Sequence, residues 1–214
     1  MYLIFKRVFD IIVSLALLVL LFPVFLILML LLSVTGEHKV FYLQERVGYK
    51  NRRFKIWKFA TMLQNSPNLG TGDITIRNDP RLIPMGKFLR KTKLNEVPQL
   101  INVLKGDMTL VGPRPLMAKG FERYSPTVQS MIYNVKPGIT GIGSVVFRDE
   151  EKMVTASNNY EEAYQSINNH KGILEGWYQQ NIGFYTDFML MFLTMWVLLF
   201  PDSKLVNKVF SNLP

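Results

Sequence analysis

Apolar residues gather at the two ends of this chain, and the middle is mixed. No charged residue occurs from Ile11 to Val34. As one helix that run would be about 36 Å long, enough for the roughly 30 Å hydrocarbon core of a bilayer. Pro23 sits at its centre, where the ring removes a backbone N–H and crowds the preceding turn. Each half, Ile11–Phe22 and Val24–Val34, reaches only about 16–18 Å and is too short to cross alone. Three readings follow: a spanning helix, a cleaved signal peptide begun by Lys6 and Arg7, and a bent helix that enters and leaves by one face. No small-x-small cleavage site follows the run, which weakens the second. Basic residues lie on both flanks, Lys6 and Arg7 before and Lys39 to Lys58 after, and the positive-inside rule puts both on the cytoplasmic side. The expectation is a re-entrant membrane helix over residues 1–36.

The C-terminal run Phe184–Phe200 is interrupted by Tyr185, Thr186, Asp187 and Thr194. It reaches about 26 Å, short for a span. Asp187 and the aromatic set Phe184, Tyr185, Phe188, Phe192 and Trp196 suit a helix lying at a membrane interface. They suit a helix packed on the protein core equally well. Residues 184–214 are expected to form this helix and a tail.

Residues 37–183 read as one mixed α/β domain, small and mainly helical, with short strands. Val40–Leu43 and Phe54–Phe59 have strand character around the turn-prone Gly48–Arg53. Gln64–Asp79 reads as a loop, and Leu82–Thr92 and Glu96–Leu104 have helical spacing. Glu96 falls in a first helical turn, where Pro98 is also tolerated. Gly106–Pro115 is a punctuated loop around the apolar Met108–Val111. There is no internal repeat, no P-loop and no dinucleotide-binding turn.

Charge sharpens the picture. Residues 1–136 carry 20 Lys and Arg against 8 Asp and Glu, whereas residues 137–214 carry 5 against 8. A basic block of this size favours an anionic partner: a lipid headgroup, a nucleic acid or a phosphorylated small molecule. Nucleic acid ranks last, because Phe54 and Trp57 are the only aromatic candidates for base stacking and both alternate as strand core would. With no Cys and only His38 and His170, disulfides, thiolate chemistry and a His/Cys zinc site are set aside. A metal would be hard and oxygen-bound, magnesium first.

One constellation carries chemistry. Arg90 precedes Asn95-Glu96, Asp107 follows, Arg114 lies between Pro113 and Pro115, and Arg148 follows the Pro137–Gly141 turn. Guanidinium forks hold phosphate oxygens in pairs and offset transition-state charge. The competing reading pairs these arginines with Asp107, Asp149 and Glu150 on the surface.

Five segments form a further pattern: Lys6-Arg7-Val8-Phe9-Asp10, Gln44-Glu45-Arg46-Val47-Gly48, Lys58-Phe59-Ala60-Thr61-Met62, the block from Asn95 to Pro115, and Lys136–Gly141. In these segments the chain resembles the monotopic phosphoglycosyl transferases, or bacterial sugar transferases. The resemblance implies a re-entrant helix, a nucleoside-diphosphate sugar donor, a polyprenyl phosphate acceptor and Mg2+. The implied place is the cytoplasmic face of a bacterial inner membrane, among membrane lipid, and the implied task is starting a surface glycan. A second copy of the chain is left open as a further partner. Arg90, Arg114 and Arg148 would bind the substrate phosphates, and Glu96 would serve in catalysis and hold the metal.

Asn95, Phe22 and Ala60 depart from the family pattern, as do Asp149-Glu150-Glu151 and the apolar tail past Arg148. Asn95 stands where the family has a nucleophilic Asp, and a carboxamide is a poor nucleophile. Phe22 replaces a Ser before the proline, and Ala60 replaces an Arg. Three expectations follow: Glu96 acts as nucleophile or metal ligand, the acceptor phosphate attacks directly, or the chain is a non-catalytic membrane scaffold.

Overall fold

The computed structural model describes residues 1–70, 74–76 and 78–214. The N-terminal apolar run forms two helices, α1 (Tyr2–Leu20) and α2 (Phe22–Val34), bent by 62° at Leu21. The break falls two residues ahead of Pro23. The proline therefore sits in the first turn of α2, where its missing N–H has no partner to lose. Among the described residues no single helix is long and apolar enough to cross a membrane.

The charged residues of α1 pin it to the domain. Arg7 donates to the carbonyls of Val103 (2.6 Å) and Leu104 (3.0 Å). These lie at the C-terminal end of a helix, where a cation is favoured. Asp10 accepts from the Thr109 hydroxyl (2.5 Å) and the Leu110 N–H (3.2 Å). Lys6 donates to the Val111 carbonyl (2.8 Å) and pairs with Asp187. One turn on, Phe9, Val13 and Leu17 pack into the main core. Helix α2 lays Leu28 and Leu32 against Phe59, Ile83 and Leu89.

Strands β1 (Phe41–Val47) and β2 (Arg53–Phe59) form an antiparallel hairpin with Gln44 opposite Ile56. The first strand runs four residues past the expected Leu43. The outer edge of β2 is closed by a side chain: Asn102 accepts the Trp57 N–H and donates to the Lys55 carbonyl, both at 2.9 Å. Backbone groups that would lack a strand partner are thereby satisfied.

Of the expected loop Gln64–Asp79, residues 71–73 and 77 lie outside the described residues; Ser66–Asn68 is a 3-10 turn. The helix expected from Leu82 is α3 (Gly86–Lys91) alone, since Leu82 bridges to Met62 and Pro84 holds its predecessor extended. Lys93 adopts the left-handed conformation (φ 60°) and turns the chain into a 3-10 turn at Leu94–Glu96. Pro98 then caps α4 (Gln99–Lys105), which ends at Gly106 (φ 91°). The helix expected from Glu96 thus begins three residues later, and Glu96 precedes it.

Both glycine-rich loops contain a strand. β3 (Thr109–Val111) and β4 (Gly138–Thr140) pair in parallel, with α5 (Ala118–Glu122) and α6 (Pro126–Met131) between them in sequence. A Cβ on Gly138 would stand 2.1 Å from the Gly112 nitrogen, so this approach needs glycine.

The remainder is helical: α7 (Ile142–Val146), α8 (Glu150–Thr155), α9 (Tyr160–Gln180), α10 (Phe184–Leu199) and α11 (Leu205–Val209). The main core joins Leu100, Val111, Ile142, Leu174, Leu190 and Leu193 to α1. The three segments expected at 1–36, 37–183 and 184–214 therefore share one core. Helix α10 packs on the core by one face and leaves the other exposed. Asp187, Leu190, Leu193 and Val197 are buried, while Phe184, Tyr185, Phe188, Phe192 and Met195 stay exposed.

Candidate active site

The site is built around Glu96. Its Oε1 accepts from Lys58 Nζ and from Arg114 Nη2, each at 3.1 Å. Lys58 projects from β2 and Arg114 from the loop after β3. The side chains of Glu96 and Lys58 are only 12% and 14% exposed, whereas Arg114 is 34% exposed. One guanidinium edge is thus left facing outward.

Burial pushes the Glu96 carboxyl upward, but Lys58, Arg114 and Lys93 together hold it well below the usual carboxylate range. Burial pulls the Lys58 ammonium down to about 7, with Glu96 opposing that fall. Arg46, half-buried on β1, is drawn down to about 10 by burial and then by the nearby Arg114. Four cations, Arg46, Lys58, Lys93 and Arg114, therefore act around Glu96, with Glu150 opposing at Arg114 and Glu151 at Lys93. Such an excess of buried positive charge is stabilised by an incoming polyanion, and guanidinium and ammonium groups suit phosphate oxygens.

Asn95 is 6% exposed, and its Oδ1 is buried without a hydrogen-bond partner. Arg90, on α3, pairs with Glu151 at the start of α8. It acts on Lys93, as does Arg114, so the two arginines border one cluster. Arg148 pairs with its neighbour Asp149, and no bond among the described residues ties it to Glu96 or Arg114. Asp107 faces Lys105 at 3.9 Å. Of the surface pairings weighed from sequence, only Arg148–Asp149 forms as expected; Glu150 takes Lys171 instead, at 2.7 Å.

Sequence reasoning missed Lys58, Arg46, Lys93 and Glu175. Lys58 and Arg46 lay inside the quoted motifs, which was a usable signal. Glu175 belongs to a polar stripe on α9, Tyr164, Asn168, Lys171 and Glu175, whose spacing places all four on one helix face.

Among the described residues no group of three His, Asp or Glu is placed to hold a metal. Glu96 Oε2 takes no hydrogen bond among the described residues, whereas Asn95 Oδ1 is unpartnered and sealed from solvent. A free carboxylate oxygen is the kind of protein ligand a magnesium ion takes when substrate phosphates and water complete its octahedron.

The family model described as bacterial sugar transferase matches residues 1–201. The chain is 34% identical over 212 residues to a UDP-galactose-lipid carrier transferase of Erwinia amylovora. It is 33% identical over 212 residues to an undecaprenyl-phosphate galactose phosphotransferase of Salmonella typhimurium. Each match covers 92% of this chain and 41% of the relative, so the chain spans about two fifths of their length. An exopolysaccharide production protein, ExoY of Sinorhizobium fredii, is 30% identical over 164 residues, 70% of this chain and 72% of that protein.

Proposed function

Since the chain belongs to the bacterial sugar transferase family, we propose that it transfers a phospho-sugar from a nucleoside-diphosphate sugar to a polyprenyl phosphate and so starts glycan assembly. The carrying observation is the Lys58–Glu96–Arg114 arrangement, a fixed carboxylate inside an excess of cations. The names of the relatives, galactose phosphotransferase and lipid carrier transferase among them, support the same substrate classes.

In this reading a phosphate oxygen of the acceptor attacks the donor phosphorus that bears the sugar. The bond from that phosphorus to the bridging oxygen breaks, nucleoside monophosphate leaves, and the product is a polyprenyl diphosphate sugar. Glu96 acts as an anchor and metal ligand. Two charge-assisted bonds to its Oε1 and a depressed pKa leave it a weak nucleophile, which favours direct attack over a Glu96-linked intermediate. Arg114 and Lys58 bind the phosphates and offset the charge of the transition state. Magnesium, when bound with the diphosphate, neutralises charge on the phosphate oxygens.

Leu21, Val24, Phe25, Leu28, Phe59, Leu94 and Val97 line a small apolar recess of about 10 Å³ between the helix bend and the residues flanking Asn95-Glu96, so the surface on which the acceptor's lipid end would lie near the site is apolar. The bent pair is re-entrant in this reading. Its start is held to the domain by Lys6, Arg7 and Asp10, and its end by Leu28, Leu32 and Gly36, which packs on Ile83. Both ends thus belong to one body and one membrane face, the cytoplasmic one by the positive-inside rule. Exposed apolar faces of α1 and α10 adjoin where the Phe5 and Phe184 rings lie 6.1 Å apart, giving a broad surface for lipid.

The test compares wild type, Glu96→Gln and Asn95→Asp with a panel of donors, polyprenyl phosphate and magnesium. Wild-type turnover that Glu96→Gln abolishes supports the reading. Turnover indifferent to Glu96→Gln removes Glu96 from it. An inactive wild type that Asn95→Asp rescues, with a phospho-sugar adduct seen by mass, restricts it to a chain that has lost its nucleophile. Inactivity of both favours the non-catalytic scaffold, the reading Asn95 itself motivates.

A further inference from the structure

Arg114 lies between two prolines, and proline has no N–H to donate. The loop that carries it is therefore held largely through its carbonyls, each by a different partner. The Val111 carbonyl accepts from Lys6 at 2.8 Å, that of Pro113 from the Gly138 N–H at 2.9 Å, and that of Pro115 from Arg46 at 3.2 Å. The Arg114 carbonyl accepts the Tyr133 hydroxyl at 2.9 Å, and the same hydroxyl oxygen accepts the Leu116 N–H at 2.9 Å. One hydroxyl thus spans Pro115, spending its proton on one side and a lone pair on the other. Tyr133 is itself fixed. It is 1% exposed, its ring stacks on Phe121 at 5.7 Å, and it packs with Val47, Leu116 and Ile132. Its carbonyl accepts the Lys50 N–H at 2.8 Å, which ties it to the β1–β2 turn. Burial raises the pKa of its hydroxyl, so the proton stays on at neutral pH.

We propose that Tyr133 is a positioning residue: its hydroxyl holds the backbone on both sides of Pro115 and so sets where the Arg114 guanidinium stands against Glu96. The inference rests on the function proposed above and names a residue on which that site depends. The Tyr133 hydroxyl bonds main-chain groups only, so it acts through Arg114 and not on the substrate.

The test uses the full chain with Tyr133→Phe, which keeps the buried ring and its stacking and removes the hydroxyl alone. The Arg114 carbonyl and the Leu116 N–H lose their partner, so Tm is expected to fall. The kcat/KM for the donor is expected to fall about 10- to 100-fold, as for a phosphate ligand moved by a fraction of an ångström. Ser203→Ala is the stability control. The Ser203 hydroxyl accepts the Trp196 indole N–H at 2.8 Å and the Leu205 N–H at 3.3 Å, in the turn between α10 and α11. Its loss should lower Tm and leave kcat/KM unchanged. A double-mutant cycle with Arg114→Lys separates positioning from mere stability. Once residue 114 is lysine, Tyr133→Phe should cost little further activity, whereas a structural defect would cost the same in both backgrounds. Titration of the Glu96 carboxyl by NMR supplies a readout independent of turnover. Arg114 helps to hold that carboxyl low, so Tyr133→Phe should raise its pKa and Ser203→Ala should not. Should the wild type prove inactive, the proposed function fails while this titration still decides the positioning role. A Glu96 titration unchanged by Tyr133→Phe overturns the proposal, as does a cycle in which the two substitutions add in full.

Discussion

Arg114→Lys removes a fork and keeps a charge. In the wild type one guanidinium nitrogen holds Glu96 at 3.1 Å, and about a third of the side chain stays exposed to receive a phosphate oxygen. Lysine offers its donors from a single point, so it keeps the Glu96 contact or reaches the phosphate, and not both. One charge-assisted hydrogen bond, worth about 1.5–3 kcal/mol, is lost. That corresponds to a fall of about 10- to 150-fold in kcat/KM for the donor. The fold should survive, because the Tyr133 hydroxyl bonds the main-chain carbonyl of residue 114 and not the altered side chain. The assay is nucleoside monophosphate release at sub-saturating donor, with Tm measured alongside. Arg53→Lys is the control. Arg53 pairs with Glu45 on the exposed hairpin, their side chains being 64% and 55% exposed, and such pairs contribute little. An Arg114→Lys enzyme indistinguishable from wild type would refute the two-ended role.

Asn102→Ala leaves the Trp57 N–H and the Lys55 carbonyl without their partner and should cost about 2–4 kcal/mol, read as a lowered unfolding midpoint; an unchanged midpoint would show that water replaces the staple. Cysteines placed after Met1 and at Lys39 in a reconstituted bilayer should be labelled by an impermeant reagent from the same side, and labelling from opposite sides would rule out the re-entrant pair. Stability should also respond to Glu175. Burial pushes its carboxyl up from the ordinary 4.5 to about 8, so its contribution is fully present below pH 4.5 and is lost as pH rises through 8. The wild-type Tm should therefore fall relative to Glu175→Gln between pH 5 and 9, and parallel profiles would contradict the buried, protonated state.

The motifs quoted from the sequence turned out to be places where the fold needs particular groups. Lys6, Arg7 and Asp10 looked like mere flanks of an apolar run, yet each finds a backbone or hydroxyl partner some hundred residues away. The apolar run and Pro23 announced a bent helix, and only the position of the break differed, because proline is accommodated inside the first turn of α2. The loops at Gly106–Pro115 and Pro137–Gly141 read as turns because glycine and proline punctuate them; the glycines instead permit the close parallel pairing of β3 and β4. Helix α9 escaped notice because its buried face carries Asn168, Lys171 and Glu175 among the apolar residues, which blurs the periodicity on which helix reading depends. Glu96 was expected in the first turn of a helix. Pro98 delays α4, and the charge is held by Lys58 and Arg114, a pairing across 38 and 18 residues that local pattern does not encode.

The central claim is that Glu96, held by Lys58 and Arg114, serves a phosphoryl transfer between a nucleotide sugar and a lipid phosphate. The most direct measurement follows both products from the full chain in lipid nanodiscs, supplied with nucleoside-diphosphate sugars, polyprenyl phosphate and magnesium. The wild type should give equal amounts of nucleoside monophosphate and polyprenyl diphosphate sugar, and Glu96→Gln neither. Monophosphate release without the lipid product, or an absence of both products with every donor in the wild type and in Asn95→Asp, would contradict it.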